Sequence, residues 1–248
     1  MRVIFILWLR QIKKYRSSHS RIIGAIGQPL LFLLALGYGI GAIYKRAGEG
    51  NYIDFLVPGV VIQTILFSSI FWGINVVFDR LFGFLKEALV APVGRLHVLL
   101  GSVLGGATIS MLQGTLVLVI ALFIGFRPYN WALVPVAFLI MATMAIAITA
   151  LGAGLGSIID NFPAFQSINN FIILPLYFLS GAFFPLAGAP RVLRIIAEFN
   201  PLSYAVDAMR DVLIHQSHFG IEKDFLVLGL TVVILVSFGT LCFRRIQV

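Results

Sequence analysis

Six stretches without a charged side chain, at about residues 22–44, 55–78, 98–125, 132–157, 164–185 and 225–243, constrain this chain more than any motif in it. Each is near or above the roughly 20 residues a helix needs to cross a hydrocarbon core of about 30 Å. With 60% hydrophobic and only 11% charged residues, too little polar surface remains to cover a soluble core. Backbone groups in lipid must be satisfied internally, so six such runs joined by short connections predict an all-α integral membrane bundle. We expect six transmembrane helices in a single transmembrane domain covering 1–248. The fourth and fifth runs are parted by Asp160, Asn161 and Pro163, where a buried aspartate would cost several kcal/mol, so a turn is expected there.

The charges are arranged by side. Six basic residues, Arg2, Arg10, Lys13, Lys14, Arg16 and Arg21, precede the first run and are set among Ile4, Leu7, Trp8 and Leu9. Residues 1–21 therefore read as an amphipathic helix on the inner membrane surface, and the long basic stretch is a poor match to a signal peptide. Counting alternate connections, 11 of the 18 Lys and Arg fall on the side of both termini and 7 on the other, which predicts cytoplasmic termini. The net charge of +8 is then topological, with no implication of nucleic acid. The single cysteine, Cys242, rules out an intrachain disulfide.

The search for chemistry returns little. There is no phosphate-loop motif, no Gly-Lys dipeptide, no HExxH pair, and Ser180-Gly181 lacks the preceding glycine of a nucleophile elbow, so no catalytic residue is expected. Asp207, Asp211 and His215 share helical spacing with His218 close behind, but Pro201 and the stripe Leu202, Ala205, Met209, Val212 and Leu213 make the acids the wet face of an amphipathic helix. No metal site is expected. The six runs contain no ionisable side chain of the kind that couples proton or sodium transport. Their polar residues are neutral amides, among which Gln63, Asn75, Gln113, Asn169 and Asn170 are candidates for a translocation path, with helix-to-helix hydrogen bonding as the alternative. Gly37 and Gly41, Gly101 and Gly105, and Gly152 and Gly156 are GxxxG pairs that suit close helix packing.

Two connecting segments are distinctive. In DRLFGFLKEALVAPVGRLH, residues 79–97, Phe82, Leu85, Ala88 and Leu89 recur at helical spacing beside Arg80, Lys86 and Glu87. That pattern suits either lipid headgroups or a groove on a partner, and composition does not choose. Between the fifth and sixth runs, Asn200-Pro201 divides RVLRIIAEF from PLSYAVDAMRDVL, predicting two short amphipathic helices that dip into the outer leaflet or cap the bundle.

The segments FLVPGVVIQTILFSSIFWG, DRLFGFLKEALVAPVGR and LSGAFFPLAGAPRVLRIIAEFNPLSYAVDAMR, in this order, resemble the permease subunits of type-2 ATP-binding-cassette exporters, and the likeness spans essentially the whole chain. The resemblance implies a half-transporter in the cell membrane that pairs with a second permease copy, as a homodimer, or with a close relative, and with two cytoplasmic ATPase subunits. ATP and Mg would be bound by those subunits, leaving this chain without a cofactor. It implies that Gly83, Phe84, Leu85, Lys86, Glu87 and Leu89 form the coupling helix that docks on the ATPase, with an interface helix at the N-terminus and an outer re-entrant pair at 187–218. The closest likeness is to drug-exporter permeases, which implies a drug- or lipid-like cargo moved outward. A polysaccharide or lipid-linked glycan exporter is the alternative, and a channel or assembly protein a further one.

Overall fold

The computed structural model describes residues 2–17, 19–46, 51–81, 94–159 and 161–244, and every regular element among them is helical. The chain runs α1 (Arg2–Arg16), α2 (His19–Arg46), α3 (Tyr52–Leu81), α4 (Arg95–Ile124) and α5 (Val134–Ile158). A broken helix over 162–178 follows, built from α6 (Phe162–Ile168), a π-helical turn (Asn169–Ile173) and α7 (Leu174–Phe178). Last come α8 (Arg191–Phe199), α9 (Pro201–Ile214) and α10 (Ile221–Arg244). Among the described residues, four helical stretches are long and apolar enough to cross a membrane: Tyr52–Asp79, Leu96–Ile124, Trp131–Ile158 and Ile221–Arg244. A shorter apolar stretch, Gly27–Gly41, lies within α2.

Helix α3 is the axis of the bundle. Buried residues make up 83% of its apolar window, against 17% for α10, which lies on the outside against α5 and α9. Packing around α3 depends on glycine. A Cβ added to Gly152 of α5 would lie 3.0 Å from the Ile70 carbonyl oxygen, and one added to Gly156 or to Gly73 would overlap the facing backbone. Two of the three expected GxxxG pairs thus sit at interfaces: Gly152 with Gly156 against α3, and Gly101 with Gly105 against Leu7 and Gln11 of α1. In the third, Gly37 meets Ile53 while Gly41 has open space beside it.

Helix ends follow local chemistry. Gly125 closes α4 at φ 116°, a left-handed conformation that glycine alone adopts without strain, and the N–H of Phe126 reaches back to the Ala121 carbonyl at 3.0 Å. Asn161 caps α6 by accepting from the N–H of Ala164 at 2.8 Å, with Pro163 in the first turn.

The structure corrects two expectations. The fifth apolar run extends to 185, yet its helix ends at Phe178, because the chain turns through Gly181 at φ 78°. The carbonyls released by this early end are taken up by side chains. Arg210 donates to the oxygens of Gly181 (3.1 Å) and Ala182 (3.4 Å), Tyr52 to that of Phe183 (2.9 Å), and Asn200 to that of Leu176 (2.6 Å). A backbone break among apolar helices is tolerable on these terms. Arg210 is itself buried, with its guanidinium 3.8 Å from the centre of the Phe55 ring. Burial pulls its pKa down to about 10, partly offset by Asp207, so it is still a cation at neutral pH.

The second correction concerns Asp207. It is 3% exposed and does not belong to a wet face. Its carboxylate accepts from the N–H groups of His218 and Phe219, both at 2.8 Å, and from the Ser217 hydroxyl at 3.1 Å, and so ties the 215–220 loop to α9. Asp211 is partly exposed, 3.9 Å from the His215 ring nitrogen. The periodicity that placed Asp207 outside could not register that the loop folds back over it.

Two predictions follow from these contacts. Gly73→Val forces α3 from α5 and should lower the thermal midpoint of the purified protein sharply, whereas Gly41→Val should be near neutral. Asn200→Ala removes both the cap of α9 and the bridge to Leu176, and should cost about 2 to 3 kcal/mol in a denaturant titration.

Candidate functional site: a neutral polar cavity

A cavity of about 400 Å³ opens between α1, α2, α3 and α4. Tyr15 of α1, Gln28 and Pro29 of α2 and Gln113 of α4 form its sides. Most of its wall is one face of α3: Gln63, Thr64, Phe67, Ser68, Phe71, Trp72, Asn75 and Phe78. At 1.5 Å per residue, Gln63 to Phe78 covers about 22 Å of helix. The volume lies in the range of small-molecule sites, and the mixture of apolar wall and few polar groups is typical of them.

Three of the five amides picked from the sequence, Gln63, Asn75 and Gln113, line this one space. The other two do not. Asn169 and Asn170 lie in the π-helical turn, where Asn170 accepts from Gln166 at 3.3 Å. The residues that sequence reasoning missed are the hydroxyls and rings between the amides. Their signal was present, since 63, 67, 71 and 75 follow one another at steps of four along a single helix face.

No Asp, Glu, Lys, Arg or His lines the cavity among the described residues. A formal charge reaches the lining through Lys14, whose ammonium donates to the side-chain oxygen of Asn75 at 3.3 Å. Gln113 donates to the Tyr15 hydroxyl at 2.8 Å, and Ser110 to Ser68 at 3.0 Å. Gln63 differs from these. It is 2% exposed, yet it makes no hydrogen bond to any described residue, and its side-chain oxygen is fully shielded.

Helix α1 is therefore part of the wall as well as a surface element. Trp8 donates to Thr108 at 3.0 Å, Gln11 packs on Gly105, and Arg10 lies 3.6 Å from Asp79 at the end of α3. Its outer side is greasy, with Phe5 and Ile6 exposed. The expected coupling residues Gly83, Phe84, Leu85, Lys86, Glu87 and Leu89 lie outside the described residues. Their flanks, the end of α3 and the start of α4, both meet α1 or its neighbours. Among the described residues no group of three or more His, Cys, Asp or Glu is placed to hold a metal ion.

A family model described as ABC-2 type transporter matches residues 2–214. The chain belongs to the ABC-2 type transporter family. Among similar proteins, one carrying the name transport permease ycf38 from Cyanophora paradoxa is 28% identical, with 98% of this chain and 88% of the relative covered. Nodulation protein J of Rhizobium leguminosarum bv. trifolii is also 28% identical, over 96% of this chain and 92% of its own length. The ycf38 protein of Pyropia yezoensis is 30% identical, over 77% and 67% respectively. The ABC-2 match includes α1, and it ends at the last residue of α9, before α10 begins.

Because Gly105 has no room for a side chain beneath Gln11, Gly105→Ile in this ABC-2 protein should lift α1 from α4. Faster tryptic cleavage at Arg10, Lys13 and Lys14 in membranes would report the detachment. Tyr15→Phe removes one hydrogen bond only, costs about 1 kcal/mol, and should leave the cleavage rate close to that of the parent.

Proposed function

We propose that the chain is the membrane-spanning subunit of an ATP-driven exporter that moves an amphipathic, drug- or lipid-like compound out of the cytoplasm. The observation that carries this reading is the cavity: a space of ligand size, polar but uncharged, built into the wall of a family permease that has no phosphate loop of its own. Energy must then come from a partner. Two cytoplasmic ATPase subunits supply it together with ATP and Mg, and a second copy of the permease completes the path.

In this reading the chain crosses the cell membrane six times, by α2, α3, α4, α5, the broken helix over 162–178, and α10, with both termini in the cytoplasm. Support for α2 comes from its 28 residues, about 42 Å of helix. The 17 residues over 162–178 span only about 25 Å, and the turn satisfied by Arg210, Tyr52 and Asn200 completes the crossing. The exposed apolar side chains Val192, Ile195 and Phe199 of α8 suit a helix lying in the outer leaflet. Amides and hydroxyls beside aromatic rings also suit a glycan, so a polysaccharide or lipid-linked glycan cargo is the second reading.

The deciding test is purification of the tagged chain from its host in detergent, with identification of co-purifying proteins and an assay of ATP hydrolysis. A stoichiometric ATPase is expected, and a preparation free of any ATPase would favour a channel or assembly role instead. Within the complex, Glu87→Ala should lower substrate-stimulated ATP turnover about tenfold, equivalent to about 1.4 kcal/mol of lost docking energy, while membrane insertion is unchanged. Unchanged turnover would remove Glu87 from the coupling contact.

A further inference from the structure

We propose that the cavity selects uncharged amphiphiles whose headgroup donates hydrogen bonds, and that Gln63 is the residue that reads the donor. The inference rests on the cavity being a ligand site, as proposed above, and adds the chemical class of the ligand.

Three observations carry it. First, among the described residues the lining holds no carboxylate to balance a cation, and the Lys14 ammonium that donates to Asn75 of the lining repels one. An unpaired charge in such a space loses several kcal/mol of hydration. Each contact between a cation and a ring such as Phe67 or Trp72 returns about 0.5 to 2 kcal/mol, and with no carboxylate beside the rings a single such contact does not offset that loss.

Second, the polar groups differ in what they still have to offer. Asn75 already accepts from Lys14, Gln113 already donates to Tyr15, and Ser68 already accepts from Ser110. Gln63 alone among the buried amides of the lining has no partner. A buried amide left unpaired costs about 1 to 3 kcal/mol, and a hydroxyl or N–H of a bound molecule removes that cost once the Gln63 side chain turns its shielded oxygen toward the cavity that the residue lines. Third, the rings at 67, 71 and 78 lie along the same helix face as Gln63 and give an apolar body a wall to lie against.

The experiment uses the purified chain in lipid nanodiscs with Trp8→Phe and Trp131→Phe, so that the fluorescence of Trp72, in the cavity wall, reports occupancy. Decyl maltoside, decyltrimethylammonium and decyl sulfate are titrated below their micellar concentrations. We expect the maltoside to bind at least about tenfold more tightly than either charged probe. Gln63→Leu should weaken the maltoside about tenfold, the size of one lost buried hydrogen bond, and flatten the preference. As a second variant, Gln63→Glu should raise the affinity for the cation. Equal or tighter binding of a charged probe, or a preference indifferent to both changes at Gln63, would overturn the proposal. Filling the cavity by Ser68→Phe, which adds bulk without a second indole, separates this from the transport reading. Selectivity that is lost on filling, while ATP turnover of the complex continues unchanged, keeps the ligand class and removes the cavity from the path. Turnover that stops on filling in a protein without selectivity keeps the path and overturns the ligand class.

Discussion

The backbone contact between α3 and α5 governs the rest of the molecule. Helices approach this closely only where side chains are missing, and Gly73, Gly152 and Gly156 supply the gap. The contact fixes the rotation of α3 about its own axis. At about 100° per residue, Thr64, Phe71 and Asn75 lie about 160 to 180° around the helix from Gly73, with Ser68 and Phe78 about 140° away. The face that lines the cavity is therefore centred away from the face that closes on α5, with Gln63 and Trp72, about 80° and 100° from Gly73, at its edges. A change at Gly73 that turns α3 would move Gln63 and Asn75 with it, so the packing and the proposed ligand chemistry are linked through a rigid body rather than through direct contact.

A second constraint acts at the other end of the bundle. Where the helix over 162–178 stops early, four carbonyl oxygens need donors, and three side chains provide them: Tyr52 of α3, and Asn200 and Arg210 from the cap and body of α9. A lone guanidinium in an apolar setting is costly unless its donors are used. Here one terminal nitrogen donates to two carbonyls and the guanidinium lies over a ring, while Nε is buried without a partner among the described residues and the nearby Asp207 is occupied by the loop it caps. Cation, broken helix and capped loop form one interdependent set, and removing any member leaves buried polar atoms unpaired.

The sequence made the helices legible because lipid-length apolar runs have few alternative structures. Helices occupy all six places where charge-free runs were found, with Asn161-Pro163 and Asn200-Pro201 breaking the chain as their chemistry predicts. The end of the fifth run was not legible. Apolar residues continue past Phe178 without a polar break, and hydropathy does not separate helix from a satisfied turn. Asp207 was misread for a related reason, since spacing by four describes a helix face but not the loop that returns over it. The candidate site was half legible. Grouping amides by residue type gathered Asn169 and Asn170 with Gln63, Asn75 and Gln113, and only the face they share on the folded helices separates the two sets.

That face has a further consequence for how force from an ATPase would reach a cargo. The segment 82–93, where the proposed docking residues fall, joins the end of α3 to the start of α4, and α1 holds both helices through Arg10 to Asp79, Lys14 to Asn75 and Tyr15 to Gln113. Two of those three links end on residues of the cavity wall. A push on the connecting segment therefore cannot shift α3 and α4 relative to α1 without stretching bonds that also set the cavity's polar lining. Changes in the width of the cavity and in the hydrogen bonds left for a ligand would then occur in the same motion. In such an arrangement, a ligand held through Gln63 would be released by loss of its pocket, with no charged residue needed to expel it.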